Sequence, residues 1–233
     1  MARWPANGSD SDVMDNAAIN APWLRAAALA LLLGWALPAV AVSVTVVDQD
    51  GAPVVHAVVT LAPAPSAEGA AEGAARVAEM RQQGQEFLPH VLAVPRGAAV
   101  RFPNLDDTQH HVYSFSPAKV FELPLFKGDE PPPVIFDQPG VVAVGCNIHD
   151  HMRGFIIVTD APLHGVTDPD GRVTFDGALP GAYQLNVWHE RGSSPFAPET
   201  VEVAGPEAVL QRTLQLAPPP QPVRRGLRNW AEQ

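Results

Sequence analysis

The chain of 233 residues carries 15 Lys+Arg against 25 Asp+Glu, a formal net charge of −10. An acidic balance without basic runs excludes a nucleic-acid reader, which needs cationic surface to neutralise phosphates. A single Cys excludes an internal disulfide framework. At 46% hydrophobic and 17% charged the composition is globular, and 25 Pro disfavour long helices and suit short strands and turns.

Residues 26–41 (AAALALLLGWALPAVA) pass without a charge directly after Arg25. The run is shorter than the roughly 20 apolar residues of a spanning helix. It ends in Ala39-Val40-Ala41, the small-x-small pattern of a signal-peptidase site. Residues 1–41 are therefore expected to be a secretory signal cleaved after Ala41, with an uncleaved anchor as the alternative. The segment before Arg25 is long and holds Asp10, Asp12 and Asp15, and Met14 is an alternative start. Export points most simply to a bacterial periplasm, with no membrane attachment once the signal is removed.

Val42–Val47 (VSVTVV) is β-branched and predicts a strand. Asp48-Gln49-Asp50-Gly51 is turn chemistry, and Val54–Leu61 predicts a second strand. Residues 63–75 belong to a low-complexity Ala/Pro/Gly stretch that reads as a linker. From residue 76 the character changes. Phe87–Pro95, Ala98–Phe102, His110–Phe115, Val141–Cys146 and Phe155–Val158 are short apolar or alternating runs, separated by Gly, Pro, Asn and Asp. Such spacing predicts a β-sandwich or barrel. A third stretch, 161–216, again alternates turns with strands: Thr167-Asp168-Pro169-Asp170-Gly171, Arg172–Phe175, Leu179-Pro180-Gly181 and Tyr183–Trp188. Residues 217–233 begin with Ala217 and three prolines, carry Arg224, Arg225 and Arg228, and predict an exposed tail.

The lone thiol lies in Gly145-Cys146-Asn147-Ile148-His149-Asp150-His151-Met152-Arg153-Gly154. Thiolate, imidazole and thioether within one loop, with a second imidazole from elsewhere, are the donors of a mononuclear blue copper centre. The second imidazole is His110 or His111. Strand parity favours His110, which shares a face with Val112 while His111 points the other way; Val142, Val144 and Cys146 likewise share one face. Cys with two His also suits zinc, but Met is a poor zinc ligand. Of the remaining histidines, His90 reads as structural, and His56, His164 and His189 as surface or strand-end residues. Trp188 reads as core, and Asp106-Asp107 as a solvated turn. No nucleophile elbow, phosphate loop or paired carboxylates stand out, so the chain is not expected to be an enzyme.

These motifs resemble the cupredoxins, the amicyanins in particular. Cys146-x-x-His149-x-x-Met152 followed by Arg153-Gly154 is similar to the short amicyanin ligand loop. Asn104-x5-His110 is similar to the context of the first ligand His. Phe87-x-Pro89, Gly97 and Val100-x-Phe102 are similar to the upstream cupredoxin pattern. The resemblance covers residues 76–160. It implies one copper ion held by His110, Cys146, His149 and Met152, with Asn104, His111 and His151 around it. It extends to bacterial secreted proteins called methylamine utilization proteins, which combine an FPN…HHVYSFS segment with CNIH. Ile148, Asp150, His151 and Gln109 give a more polar rim than the Pro and aromatic residues of amicyanin loops.

Residues 42–62 and 161–216 resemble the two halves of a carboxypeptidase regulatory-like β-sandwich. The expected fold class is thus all-β, a cupredoxin Greek-key sandwich inserted into or flanked by a second small sandwich. The expected function is electron transfer by a periplasmic blue copper protein with an unidentified redox partner protein. The alternatives are a copper carrier or sensor without redox turnover, and a binding sandwich whose copper site is vestigial.

Overall fold

The computed structural model describes residues 40–64, 77–128, 131–192, 198–205 and 207–219. The expected signal up to residue 39, residues 65–75 of the expected linker and the tail from 220 lie outside the described residues.

The described residues form strands and no helix. The chain starts with β1 (Val40–Asp48) and β2 (Val58–Pro63). Ten strands follow: β3 (Val77–Glu79), β4 (Arg81–Gln83), β5 (Glu86–Leu88), β6 (Val91–Pro95), β7 (Ala98–Arg101), β8 (His110–Ser116), β9 (Lys119–Phe126), β10 (Val134–Phe136), β11 (Gly140–Gly145) and β12 (Arg153–Thr159). The last five are β13 (Leu163–Val166), β14 (Arg172–Ala178), β15 (Gly181–Trp188), β16 (Glu199–Val203) and β17 (Glu207–Leu214).

Two hydrophobic cores divide these strands, and the second interrupts the first along the chain. The outer core packs the sheet β14-β1-β17 with the sheet β13-β2-β15-β16. Period-two alternation builds it: Val42, Val44 and Val46 of β1 point inward, as do Tyr183, Leu185 and Val187 of β15. The inner core is formed between the five-stranded sheet β6-β12-β11-β8-β9 and the sheet β10-β7-β3. Phe87, Phe102, Phe136, Val112, Val142, Val144 and Ile156 fill it. A small third cluster of Val58, Val91 and Ile157, flanked by Phe155, Val166 and Trp188, lies where elements of the two cores meet. The described residues are thus all β, with one sandwich nested in another, the first of the two expected arrangements.

Turn chemistry sets the ends of the outer strands twice in the same way. Oδ1 of Asp48 accepts the N–H groups of Asp50 and Ala52, and Oδ1 of Asp168 accepts those of Asp170 and Arg172. Each Asp thus closes an Asx turn that ends in a left-handed glycine, Gly51 or Gly171. The Tyr183 hydroxyl pins the Leu179 turn, donating to its C=O and accepting from its N–H.

Three details depart from the sequence-based strands. The second strand begins at Val58 rather than Val54. Thr167 Oγ1 donates to the Val54 C=O at 2.7 Å and accepts the Ala57 N–H at 2.9 Å, so the intervening residues turn, with His56 at φ 64°. The run Phe87–Pro95 is two strands, broken at the cis Leu88–Pro89 bond. Strand β9 was not legible because Pro124 interrupts it. It is tolerated there because β9 is an edge, paired on one side only with β8. The expected cleavage point after Ala41 falls within β1, and Val42–Asp48 of that strand would remain after processing.

Candidate metal centre

Three adjacent strands of the inner sandwich carry the site. β11 delivers the loop from Cys146, β12 receives it after Met152, and β8 opens with His110. Along β11 the alternation is clean: Val142, Val144 and Cys146 are buried while Val141 and Ala143 are exposed. The thiol therefore enters the core on the inward face. Met152 is buried beside the same core. The loop closes on itself, since the Cys146 N–H donates to the Met152 C=O at 3.2 Å and the Met152 N–H to the His149 C=O at 2.9 Å. Gly145, paired with Tyr113 across the β11–β8 ladder, leaves room for that ring; a Cβ there would lie 3.2 Å from Tyr113 Cζ and Oη.

His110, Cys146 and His149 converge, each offering one donor atom within 4.8 Å of the others. Cys146 Sγ lies 4.0 Å from His110 Nδ1 and 3.7 Å from His149 Nδ1. The two imidazole rings stand 5.0 Å apart at 64°. These separations fit one small metal ion. Bonds of about 2.3 Å to sulfur and about 2.0 Å to nitrogen, opening at about 110–120°, would place sulfur and nitrogen about 3.5–3.7 Å apart. A thiolate and two imidazoles suit copper or zinc, and a methionine buried in the same core cluster as Cys146 favours copper, for which a thioether is a fitting donor. His110 is fully buried and His149 partly exposed, so one ring faces the core and the other the surface.

A carboxylate behind His110 sets its orientation. His110 Nε2–H donates to Asp106 Oδ2 at 2.7 Å, which leaves Nδ1 as the lone-pair nitrogen facing the sulfur. Asp106 is itself fixed, accepting the Gly84 N–H at 2.6 Å and the Gln85 N–H at 2.8 Å. Burial pushes its carboxyl up, but the Gln85 N–H, the His110 ring and the Gly84 N–H outweigh it and hold the group below the ordinary carboxylate range. Asp106 is thus no mere solvated turn. Its signal in the sequence was the i, i+4 spacing to His110.

Asn104 braces the loop that leads to His110. Its Nδ2 donates to the C=O groups of Thr108 and Phe126, both at 2.9 Å, and its Oδ1 accepts the Asp106 N–H at 3.0 Å. His111 does not join the cluster. A register shift between His110 and Val112 accompanies its turn to the other face, where Nε2 meets Glu122 Oε1 at 2.8 Å and the ring lies 5.5 Å from that of Tyr113. His151 is exposed, with its ring 6.1 Å from that of His149. At the loop tips Ile148 and Leu105 are also exposed, which makes the rim less polar than the sequence implied.

No family model matches the chain, and no curated protein matches it. Parts of the chain are similar to solved structures. The copper-containing nitrite reductase from Thermus scotoductus SA-01 aligns over 38% of this chain and 23% of its own length, at 27% identity and a TM-score of 0.34. The purple cupredoxin from Nitrosopumilus maritimus aligns over 35% of this chain and 99% of its own, at 25% identity and a TM-score of 0.32. A reduced amicyanin variant aligns over 43% of this chain and 98% of its own, at 23% identity and a TM-score of 0.33.

Proposed function

We propose that the chain is a mononuclear copper protein that carries single electrons. The convergence of His110, Cys146 and His149 carries this reading. Cys146 is the thiolate donor, His110 and His149 the imidazole donors, and Met152 the weak fourth donor. Copper bound there supplies a Cu(II)/Cu(I) couple. The chain supplies rigidity: Asp106 fixes the His110 ring, and the Cys146–Met152 hydrogen bond fixes the loop. A frame that holds its donors still lowers the reorganisation that accompanies electron exchange. His149, the partly exposed donor, is the side from which an electron enters from a donor protein and leaves to an acceptor.

The role is that of a carrier rather than an enzyme. We place it in the periplasm after removal of the signal, with residues 76–160 as the metal-bearing module and residues 42–62 and 161–216 as the module around it. The redox partner is a protein, and neither nucleic acid nor membrane is a partner of the processed chain. Kinship with the methylamine utilization group is part of the same reading. One observation favours a second reading, copper carriage without redox turnover: His151 stands exposed beside His149 and offers an imidazole to which an ion could pass.

Adding Cu(II) to the purified chain and recording the visible spectrum tests the copper centre. A strong thiolate-to-copper band is expected, and it should vanish in Cys146→Ser. No band in the native chain would overturn the reading. Reversible one-electron cycling then separates the carrier from the second reading.

A further inference from the structure

We infer that Glu190, a residue of the outer sandwich, is a positioning residue for the metal loop of the inner one. Glu190 follows β15 and its side chain is only 19% exposed. It reaches across to Arg153, the first residue of β12, and to His90, just before β6, the strand paired with β12. One carboxylate oxygen, Oε1, accepts from His90 Nε2 at 3.0 Å. The other, Oε2, pairs with Arg153 Nη2 at 3.5 Å.

Both arms lead into the ligand loop through the backbone. Arg153 shares a peptide unit with Met152, and the C=O of that unit accepts the Cys146 N–H. Holding Arg153 therefore holds the carbonyl that orients the backbone of Cys146. On the other arm, the His90 C=O accepts the Phe155 N–H at 2.9 Å. Holding His90 fixes the register of β12 two residues beyond Arg153. Ring contacts reinforce the joint. His90 lies 5.5 Å from His56 and 5.8 Å from Phe155, and Phe155 lies 5.3 Å from Trp188. His56 and Trp188 come from the outer sandwich, while His90 and Phe155 come from the inner one. The outer sandwich thus serves as part of the frame of the metal loop, and one carboxylate spans the two.

A carboxylate that only stabilised the fold would act on all of the chain alike. A positioning residue acts on the loop first. The test is amide hydrogen exchange on the full chain without added metal, comparing native protein with Glu190→Gln, which keeps the shape and removes the charge. The amides of Cys146, Met152 and Phe155 are expected to exchange about fivefold faster or more, while those of Val44 and Val46 in β1 stay unchanged. Glu199→Gln is the control, because it breaks another carboxylate pair of the outer sandwich, with Arg212, away from the joint. It should leave the three loop amides alone. Equal acceleration throughout the chain in Glu190→Gln, or none at the loop, overturns the inference.

A second measurement rests on the copper reading. Transfer of bound copper to an excess of chelator should be about tenfold faster in Glu190→Gln than in native protein. Unchanged release overturns the inference at the level of the metal. Failure of the native chain to take up copper would instead count against the copper reading and leave the exchange result standing.

Discussion

Asp106 Oδ2 accepts the Nε2–H of His110 at 2.7 Å while Nδ1 of the same ring faces Cys146 Sγ at 4.0 Å. The carboxylate selects one tautomer and one orientation and raises the basicity of the nitrogen that faces the thiol. Asp106→Asn removes the charge at nearly constant shape. It should lower copper affinity about 10- to 100-fold, the usual effect of losing a hydrogen-bonded partner behind a ligating imidazole. Competition titration against a chelator of known affinity measures this. Native affinity in the variant would show that the His110 ring needs no such brace.

The three histidines that accompany His110 around the loop should separate into two classes. His149→Ala removes a donor and should abolish the thiolate-to-copper band. His111→Ala and His151→Ala should retain it, because His111 is engaged by Glu122 on the other face and the exposed His151 is not one of the three converging donors. Loss of the band in His111→Ala, with the fold intact by circular dichroism, would assign the second imidazole to the wrong residue.

The elements that carry the His110–Cys146–His149 cluster were legible because their signals are local. Parity along Val142-x-Val144-x-Cys146 predicts an inward thiol, which is buried, and the loop spacing pointed to His149, which converges on it, and to Met152, which lies buried in the same core. What escaped was non-local. Asp106 looks like any turn residue until Gly84 and Gln85 present their N–H groups to it from a distant hairpin. Glu190 and Arg153 lie far apart in sequence and meet only because β15 and β12 belong to sandwiches that touch. β9 was hidden by Pro124, which a central strand excludes and an edge admits. The start of β2 was misplaced by four residues, Val-Val-His-Ala from Val54 to Ala57, that Thr167 bends into a turn.

Gly171 should be intolerant of any side chain. Its φ is +70°, and a Cβ there would sit 2.5 Å from the Val46 C=O and 3.0 Å from the Val54 N. Both contacts are backbone, so neither can rotate away. Gly171→Ala should cost about 2–4 kcal/mol, the sum of a left-handed conformation and a clash with fixed atoms. Gly177, at φ +82° with open space around it, isolates the first contribution. Gly177→Ala should cost only about 1 kcal/mol. Urea denaturation of the two variants measures the difference, and equal costs would show that the Val46–Gly171 approach can relax.

Stability should fall as pH drops through the range just below 6.5. Burial pulls His56 below its ordinary value of 6.5; nearby His90 adds to the shift and Glu190 opposes it. His189 is also pulled below 6.5 by burial; Arg191 and His56 add to the shift, while Glu190 and the Val55 backbone oppose it. A histidine with a lowered folded pKa binds its proton more readily in the unfolded chain. The stability it protects is therefore complete above 6.5 and is lost as pH falls from there toward the folded value. At His189 the loss has a visible cause, since Nδ1 accepts the Arg191 N–H at 3.1 Å and cannot do so once protonated. The depressed carboxyl of Asp137, held by Lys119, acts only below about 3.8, so the two windows do not overlap. Denaturation midpoints measured at several pH values between 8 and 5 should decline, and the decline should flatten in a His56→Gln, His189→Gln double variant. A flat profile in the native chain would show that protonation of these two rings is relieved by local movement at the joint rather than by unfolding.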